Sequence, residues 1–345
     1  MSDNWLKTPT AAASCTVIAE VAQAHDGSLG MAHAFIDAVA STGAHAVKFQ
    51  THIASAESTL REPWRKKFSL QDATRFDYWR RMEFTPEQWQ GLRRHTDQKE
   101  LLFLSSPFSM QAMDLLDGVG VAGWKVASGE VADGPLLQRM AAGDLPVILS
   151  SGLSDYAELD SAVQIIKSRG VPLAVLQCAS RYPCSPQDVG LNVMQSFRSR
   201  YPGAAIGLSD HSAKIFPGLA AVALGAQVIE VHVTLSRDMF GPDVAASLTV
   251  AEIRQLVEGV RFTEAMLSSP ADKTSIPDDL KQMRAIFTKS LVAADDLPAG
   301  RVLTAIDLVA KKPGSGISVS ELPKFIGQKL KRKLLRDQTI EWDDI

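Results

Sequence analysis

The sequence predicts an α/β protein: a (β/α)8 barrel of the TIM type followed by a small β-rich domain. Three observations carry that prediction. Short apolar β-type runs alternate with amphipathic stretches, and from Thr16 to Leu267 the alternation counts to eight strand–helix units, the rhythm of a barrel. Some of these runs carry ionisable residues at every second position. In Val228–Thr234, Ile229, Val231 and Val233 share one face, while Glu230 and His232 share the other, because side chains alternate along a strand. An aliphatic outer face with ionisable groups inside describes a wall around a reaction site. Beyond Arg284, finally, short β-type runs alternate with glycine- and proline-containing turns. A doubly wound sheet is the alternative, since strand count alone does not close a barrel.

Taken in order, Thr16–Ala22 reads as a buried strand. The turn Asp26-Gly27 and a helix from Leu29 to Thr42, capped by Ser28, come next. Ala46–Gln50 is the second strand, and a long polar and aromatic loop is expected to reach Thr85. There Thr85-Pro-Glu-Gln88 forms a capping box with proline at the first helical position, opening a helix to Lys99. Further strands are expected at 101–105, 123–127, 146–150, 173–178, 205–209 and 228–233. Helices are expected at 110–117, 135–142, 156–168, 193–201, 216–224 and 250–267. The last repeats Ile253, Leu256, Val257 and Val260 at helical spacing. Barrel domain 1–267, linker 268–284 and second domain 285–345 follow from the composition. The linker is polar with two prolines, and the second domain is expected to hold β runs at 290–293, 301–303 and 308–310 and one short helix at 321–327. A core of that size is marginal alone.

The bulk numbers narrow the class. With 345 residues, 46% hydrophobic and 22% charged, the chain is an ordinary globular one. A net charge of −3 gives no general attraction to nucleic acid or anionic membrane. There is no 18-residue apolar run for a membrane helix, and Met1–Lys7 lacks the regions of a signal peptide. Cys15, Cys178 and Cys184 form neither a zinc spacing nor an even disulfide set. A reduced, cytoplasmic protein is expected.

Barrel chemistry sits at the C-terminal strand ends. In chain order these present Glu20 and His25; Lys48 and Gln50; Ser105 and Ser106; Lys125, Ser128 and Glu130; Ser150 and Ser151; Ser180, Arg181 and Tyr182; Ser209, Asp210 and His211; and Glu230 with His232. Lys48 and Lys125 alternate with apolar neighbours and point inward, which is costly unless a charge meets them. Two inward lysines among hydroxyls suggest an anion, a phosphate or carboxylate. The plainer reading pairs each lysine with Glu20, Glu130 or Glu230 as a structural salt bridge. Single serines at strand ends are commonly caps. His33 and His45 are expected to be solvated, and His25 is open to either reading. His211 and His232, on adjacent strands at one rim, are candidate ligands of a metal ion. Two imidazoles leave coordination sites for water and substrate oxygens, which suits an octahedral divalent ion better than structural zinc.

In this order, Ile18-Ala-Glu20, Val47-Lys-Phe-Gln-Thr51, Phe103-Leu-Ser-Ser-Pro-Phe108, Lys125-Val-Ala-Ser-Gly-Glu130, Leu149-Ser-Ser-Gly152, Ser180-Arg-Tyr-Pro183, Gly207-Leu-Ser-Asp-His211, Ile229-Glu-Val-His232 and Gly241-Pro-Asp243 resemble the sialic acid synthase family. Legionaminic and pseudaminic acid synthases belong to the same family. Phe287–Val292, Pro313–Ile317 and Ile326–Lys329 resemble its C-terminal antifreeze-like (SAF, β-clip) domain. The resemblance implies condensation of phosphoenolpyruvate (PEP) with an N-acyl mannosamine-type sugar, N-acetylmannosamine being expected, to a nine-carbon ulosonic acid and phosphate. It implies a divalent ion, manganese by expectation with magnesium or cobalt as alternatives, on His211 and His232. By motif position, Lys48, Ser106, Lys125, Ser128, Ser150, Ser180 and Ser209 would hold PEP. Glu20, Glu130 and Asp243 would be catalytic, with Gln50, Tyr182 and Lys312 at the sugar. A domain-swapped homodimer, with the small domain over the partner's barrel mouth, is also implied. Two positions depart from the family: Ala24 replaces its asparagine in Asn-His-Asn/Glu-Gly, and Lys312 replaces the arginine of Arg-Pro-Gly. Lysine lacks the planar fork of donors, which leaves the acyl-amino sugar open between N-acetylmannosamine and a diacetamido-trideoxyhexose. Outside these, the rivals are a Schiff-base aldolase using Lys125 or Lys48, a relative that takes a phosphorylated sugar with Arg181 at the phosphate, and a non-catalytic carbohydrate- or ice-binding protein.

Overall fold

The computed structural model describes Trp5, Leu6 and residues 14–345; part of the Met1–Lys7 stretch lies outside the described residues. Contacts divide the chain into two compact units, Met1–Ser269 and Pro270–Ile345.

In the first unit the elements run β1 (Thr16–Ala22), α1 (Leu29–Ala40), β2 (Ala46–Thr51), α2 (Ala54–Glu57), α3 (Arg75–Met82), α4 (Pro86–Gln98), β3 (Leu102–Pro107), α5 (Met110–Val119), β4 (Trp124–Val126), α6 (Gly134–Ala141), β5 (Val147–Ser150), α7 (Tyr156–Lys167), β6 (Leu173–Cys178), α8 (Leu191–Arg200), β7 (Ala205–Asp210), α9 (Phe216–Ala223), β8 (Val228–Thr234), a two-residue β9 (Leu248–Thr249) and α10 (Val250–Ser268). β1 to β8 pair in sequence order, and β1 also pairs with β8. All these pairings are parallel. The sheet therefore closes, and the doubly wound alternative falls.

Strand parity sorts the side chains into two shells. Outward Val17, Val47, Phe103, Val147, Val175, Ile206 and Ile229 pack beneath the helices in the main core. Inside, Ile18, Ala46, Leu104, Ile148, Leu176, Ala205 and Val228 form a separate aliphatic plug. Each fully buried Leu, Ile or Val contributes about 2 kcal/mol by leaving water. The plug fills the lower part of the barrel, and the next inward position of most strands is polar. Helix starts follow local chemistry: Ser28 accepts from Met31 N–H, and Thr85 and Thr249 close capping boxes.

The stretch expected to be one long loop before Thr85 contains α2 and α3. The second of these starts at a capping box of Thr74 and Asp77. It buries Tyr78, Trp79 and Met82 against Ala54 in a satellite core. The apolar stripe is only one turn long, too short for periodicity to reveal.

In the second unit, α11 (Asp278–Phe287) occupies the later half of the segment expected to be a linker and runs past it. β10 (Ser290–Ala293) and β11 (Leu308–Lys311) pair antiparallel. The expected strand at 301–303 is reduced to a single bridge, Val302 to Lys329, because tight turns flank it. The expected helix at 321–327 is a 3₁₀ turn plus α12 (Leu322–Phe325). Leu291, Leu297, Leu303, Leu308, Phe325, Leu330, Leu334 and Ile340 make a core of their own.

Candidate active site

Above the aliphatic plug lies a polar layer. β1 and β2 set Glu20 beside Lys48, and β1 and β8 set Glu20 beside His232. Glu20 and Lys48 form a buried ion pair. Lys48 Nζ also donates to Ser106 Oγ at 3.4 Å. Lys125 Nζ donates to Ser150 Oγ at 2.7 Å. Glu230 stands between the two lysines, 3.8 Å from Lys48 Nζ and 3.6 Å from Lys125 Nζ, and accepts from Ser209 Oγ at 3.1 Å. The lysines thus pair with Glu20 and Glu230, and no ion pair joins either to Glu130 among the described residues. Desolvation pulls Lys48 down to about 7 against the opposing pull of Glu230. An incoming anion would favour its charged form.

The hydroxyls converge from separate strands. Ser128 Oγ and Ser180 Oγ each lie 3.6 Å from Cys178 Sγ. A Cβ added to Gly152 would collide with Ser180, Ser128 and Cys178, so only glycine lets β5 approach this cluster. Ser180 holds φ at +48°, a left-handed backbone that costs a non-glycine residue about 1 kcal/mol. Strain there is typical of a functional turn.

His211 and His232 lie with ring centroids 5.1 Å apart, both buried. Tyr182 packs on His211 at 4.0 Å and edge-on to His232 at 5.8 Å. Burial, His211 and Lys48 hold the His232 ring well below its usual pKa, so it presents a neutral, ligating nitrogen. Cys178 Sγ comes within 3.9 Å of His211 Nδ1. Among the described residues no three His, Cys, Asp or Glu side chains are arranged to hold an ion. The paired imidazoles fit a divalent ion whose remaining positions are filled by water and substrate oxygens; they do not fit a closed structural site.

A cavity of about 520 Å³ opens over this layer, reached by Gln50, Ser128, Glu130, Ser180, Tyr182, His232 and Asp243. Burial, Asp133 and Glu57 push the Glu130 carboxyl up to about 7. Asp243 pairs with Arg65 at 2.9 Å, and the Arg65 guanidinium stands 4.6 Å over the Tyr182 ring. The outer wall comes from the segment between β2 and α4: His52, Glu57, Trp64, Phe68, Tyr78 and Trp79.

Other residues have partners of their own. Lys312 belongs to the second unit, with its ammonium 5.0 Å over Phe287. Arg181 is exposed and pairs with Asp188. His25 is a core residue, buried against Phe84, with its pKa lowered to about 3 chiefly by burial. His45, expected to be solvated, is half-buried; it accepts from Val17 N–H and meets Arg261. Its position just before β2 tucks it under the strand end. Sequence reasoning missed Cys178, although the parity that turned Lys48 inward also turns Cys178 inward, two residues beyond Leu176. Gln23, His52, Glu57 and Arg65 gave no periodic signal.

Two buried lysines lie under an open, strand-end cavity of an eight-stranded barrel, the architecture of a barrel enzyme. The chain belongs to the NeuB family, whose defining pattern matches residues 35–272, and it carries a SAF domain over residues 288–345. It is 32% identical over 350 residues to N,N′-diacetyllegionaminic acid synthase of Legionella pneumophila, covering 99% of this chain and 98% of that protein. Human N-acetylneuraminate-9-phosphate synthase is 32% identical over 94% of this chain and 91% of its own. The crystal structure of an N-acetylneuraminic acid synthetase from Leptospira borgpetersenii, in complex with citrate, aligns with TM-score 0.67 at 30% identity, over 78% of this chain and 90% of that one.

Proposed function

We propose that this protein condenses PEP with an N-acyl mannosamine-type sugar, N-acetylmannosamine first among them, to give a nine-carbon ulosonic acid and phosphate. The observation that carries the reading is Lys48 and Lys125 flanking Glu230 beneath the paired imidazoles.

Carbon–carbon bond formation joins C3 of PEP to the aldehyde carbon of the open-chain sugar. Lys48 and Lys125, with Ser106, Ser128, Ser150, Ser180 and Ser209, would hold the carboxylate and phosphate of PEP and steady the phosphate as it leaves by C–O cleavage. Attack leaves C2 of PEP cationic, and water captures it. Glu130, with a pKa near 7, would take the proton from that water. Glu20, Gln50, Asp243 and Tyr182 would orient the sugar, and Asp243 would exchange Arg65 for a sugar hydroxyl. A divalent ion held by His211 and His232, manganese by preference, would polarise the aldehyde as a Lewis acid.

A second reading takes a diacetamido-trideoxyhexose as the sugar. The aromatic outer wall of Trp64, Phe68, Trp79 and Phe108 suits an additional acyl group and a deoxygenated end, and relatives named N,N′-diacetyllegionaminic acid synthase support it.

We also propose a homodimer, in which Lys312 would serve the partner's sugar site. The α11 face of Leu280, Met283, Ile286 and Phe287, each more than two-fifths exposed, favours a partner surface. Three buried free cysteines accord with a reducing, cytoplasmic setting.

Phosphate release from PEP decides among these, measured with N-acetylmannosamine and with its 2,4-diacetamido relative, with and without manganese. Manganese-dependent release with one sugar supports the reading. His211→Ala and His232→Ala should abolish it and should weaken manganese binding measured calorimetrically. Full turnover in either variant under chelation would remove the metal assignment, and pyruvate trapped by borohydride would point to an aldolase instead.

A further inference from the structure

A buried polar chain beside the cavity begins at His52, Glu57 and Gln23, which have no part in the reaction. His52 follows β2 directly, and its ring lies flat between Trp79 and Phe108, with centroids 4.1 and 4.5 Å away and interplanar angles of 18° and 11°. That sandwich fixes the imidazole plane. Its Nδ1 sits 2.6 Å from Glu57 Oε1, and the other Glu57 oxygen accepts from Ile53 N–H at 3.2 Å. A carboxylate only accepts, so Nδ1 carries a proton, and in the neutral ring Nε2 is the acceptor.

That acceptor meets Gln23 Nε2 at 3.1 Å. The same amide nitrogen donates to Gln50 Oε1, and Gln50 Oε1 lies 3.2 Å from the ring nitrogen. Gln50 in turn donates its Nε2 to Glu20 Oε1 at 3.0 Å, and Glu20 meets Lys48. The Gln23 amide therefore donates both to the imidazole and to Gln50, and Gln50 passes a donor on to Glu20 in the barrel interior. Without the His52 acceptor, Gln23 loses one partner and is no longer fixed, and Gln50 Oε1 then loses the donor that Gln23 aims at it.

We propose that His52, fixed by Glu57, is a positioning residue: it sets the Gln23 and Gln50 amides so that the Gln50 N–H faces Glu20 at the sugar end of the site. The inference rests on the proposed function, in which Gln50 and Glu20 orient the sugar. A misplaced orienting group should weaken sugar handling more than PEP binding, because of the groups that hold PEP only Lys48 shares β2 with Gln50, while Lys125 and the serines come from other strands and the loops after them.

The test is steady-state kinetics of the full chain with PEP, manganese and the sugar that turns over. His52→Ala should raise the KM for the sugar roughly tenfold or more, with the KM for PEP staying within about twofold. His52→Gln, whose amide oxygen replaces the lost acceptor, should recover most of the loss. Glu57→Gln leaves the aromatic sandwich in place and should also raise the sugar KM without lowering the melting temperature. An unchanged sugar KM in His52→Ala, an equal rise in both KM values, or losses that follow the melting temperature across all three variants would overturn the proposal. If the unmodified protein releases no phosphate with any acyl-mannosamine, the functional reading fails separately. A crystal structure of His52→Ala with the Gln50 amide still turned to Glu20 would then sink the relay itself.

Discussion

At Glu130 a half-buried carboxyl sits behind β4, and burial, Asp133 and Glu57 raise its pKa from 4.5 to about 7. If it accepts the proton of the attacking water, it must be ionised, so kcat/KM should climb with pH through about 7 and then level off. Glu130→Gln should lose that limb and most of the rate, read from a pH–rate profile; an unchanged limb would assign it to another group. Stability moves the opposite way. Between 4.5 and about 7 the folded carboxyl keeps a proton that the unfolded one has released, so its contribution to stability falls as pH rises through that window. Gly152 offers a second residue-scale test. A Cβ there would drive into Ser128, Ser180 and Cys178. Gly152→Ala should raise the KM for PEP and cost about 1–3 kcal/mol of stability, measured by kinetics and thermal melting together.

The element with most influence on the outer wall of the cavity is α3 with the chain leading to it. This segment forms a satellite core of Ala54, Tyr78, Trp79 and Met82 and places Trp79 on His52. The Thr74 capping box holds its start. Thr74→Ala should destabilise the segment by about 1 kcal/mol and speed its proteolytic nicking, with the barrel's global melting little changed. Equal loss of stability in both would show that α3 unfolds only with the barrel. The barrel strands contrast with this segment. Their side chains alternate between an apolar outer face and an inner face that turns polar toward the C-terminal ends, so Lys48, Lys125, Glu230 and His232 could be turned inward from sequence alone. The aromatic and charged side chains between Thr51 and Thr85 follow no period, and their partners lie far away: Arg65 meets Asp243 and Tyr182. Local pattern cannot reveal such pairs.

For the molecule as a whole, two units each carry a core, and no helix among the described residues is long and apolar enough to cross a membrane. The exposed apolar face of α11 predicts self-association. Light scattering behind size exclusion should give twice the chain mass, and Met283→Glu with Ile286→Glu should shift it toward a monomer. A monomer at all concentrations in the unaltered protein would exclude the dimer.

The sequence by itself determined the eight strand–helix units, the order of the strands and the inward set of lysines, carboxylates and imidazoles; closure came from the β1–β8 pairing. Periodicity of two and of 3.6 is a local property, and motif order along the chain preserves it. Tertiary structure alone decided which charges meet: that Lys48 turns to Glu20 and Glu230 and Lys125 to Glu230, that Cys178 joins the serines, and that His52 is pinned between Trp79 and Phe108. Those outcomes depend on register between strands and on a segment folded across the barrel mouth. Both are settled by contacts between residues distant in sequence, where no local signal reaches.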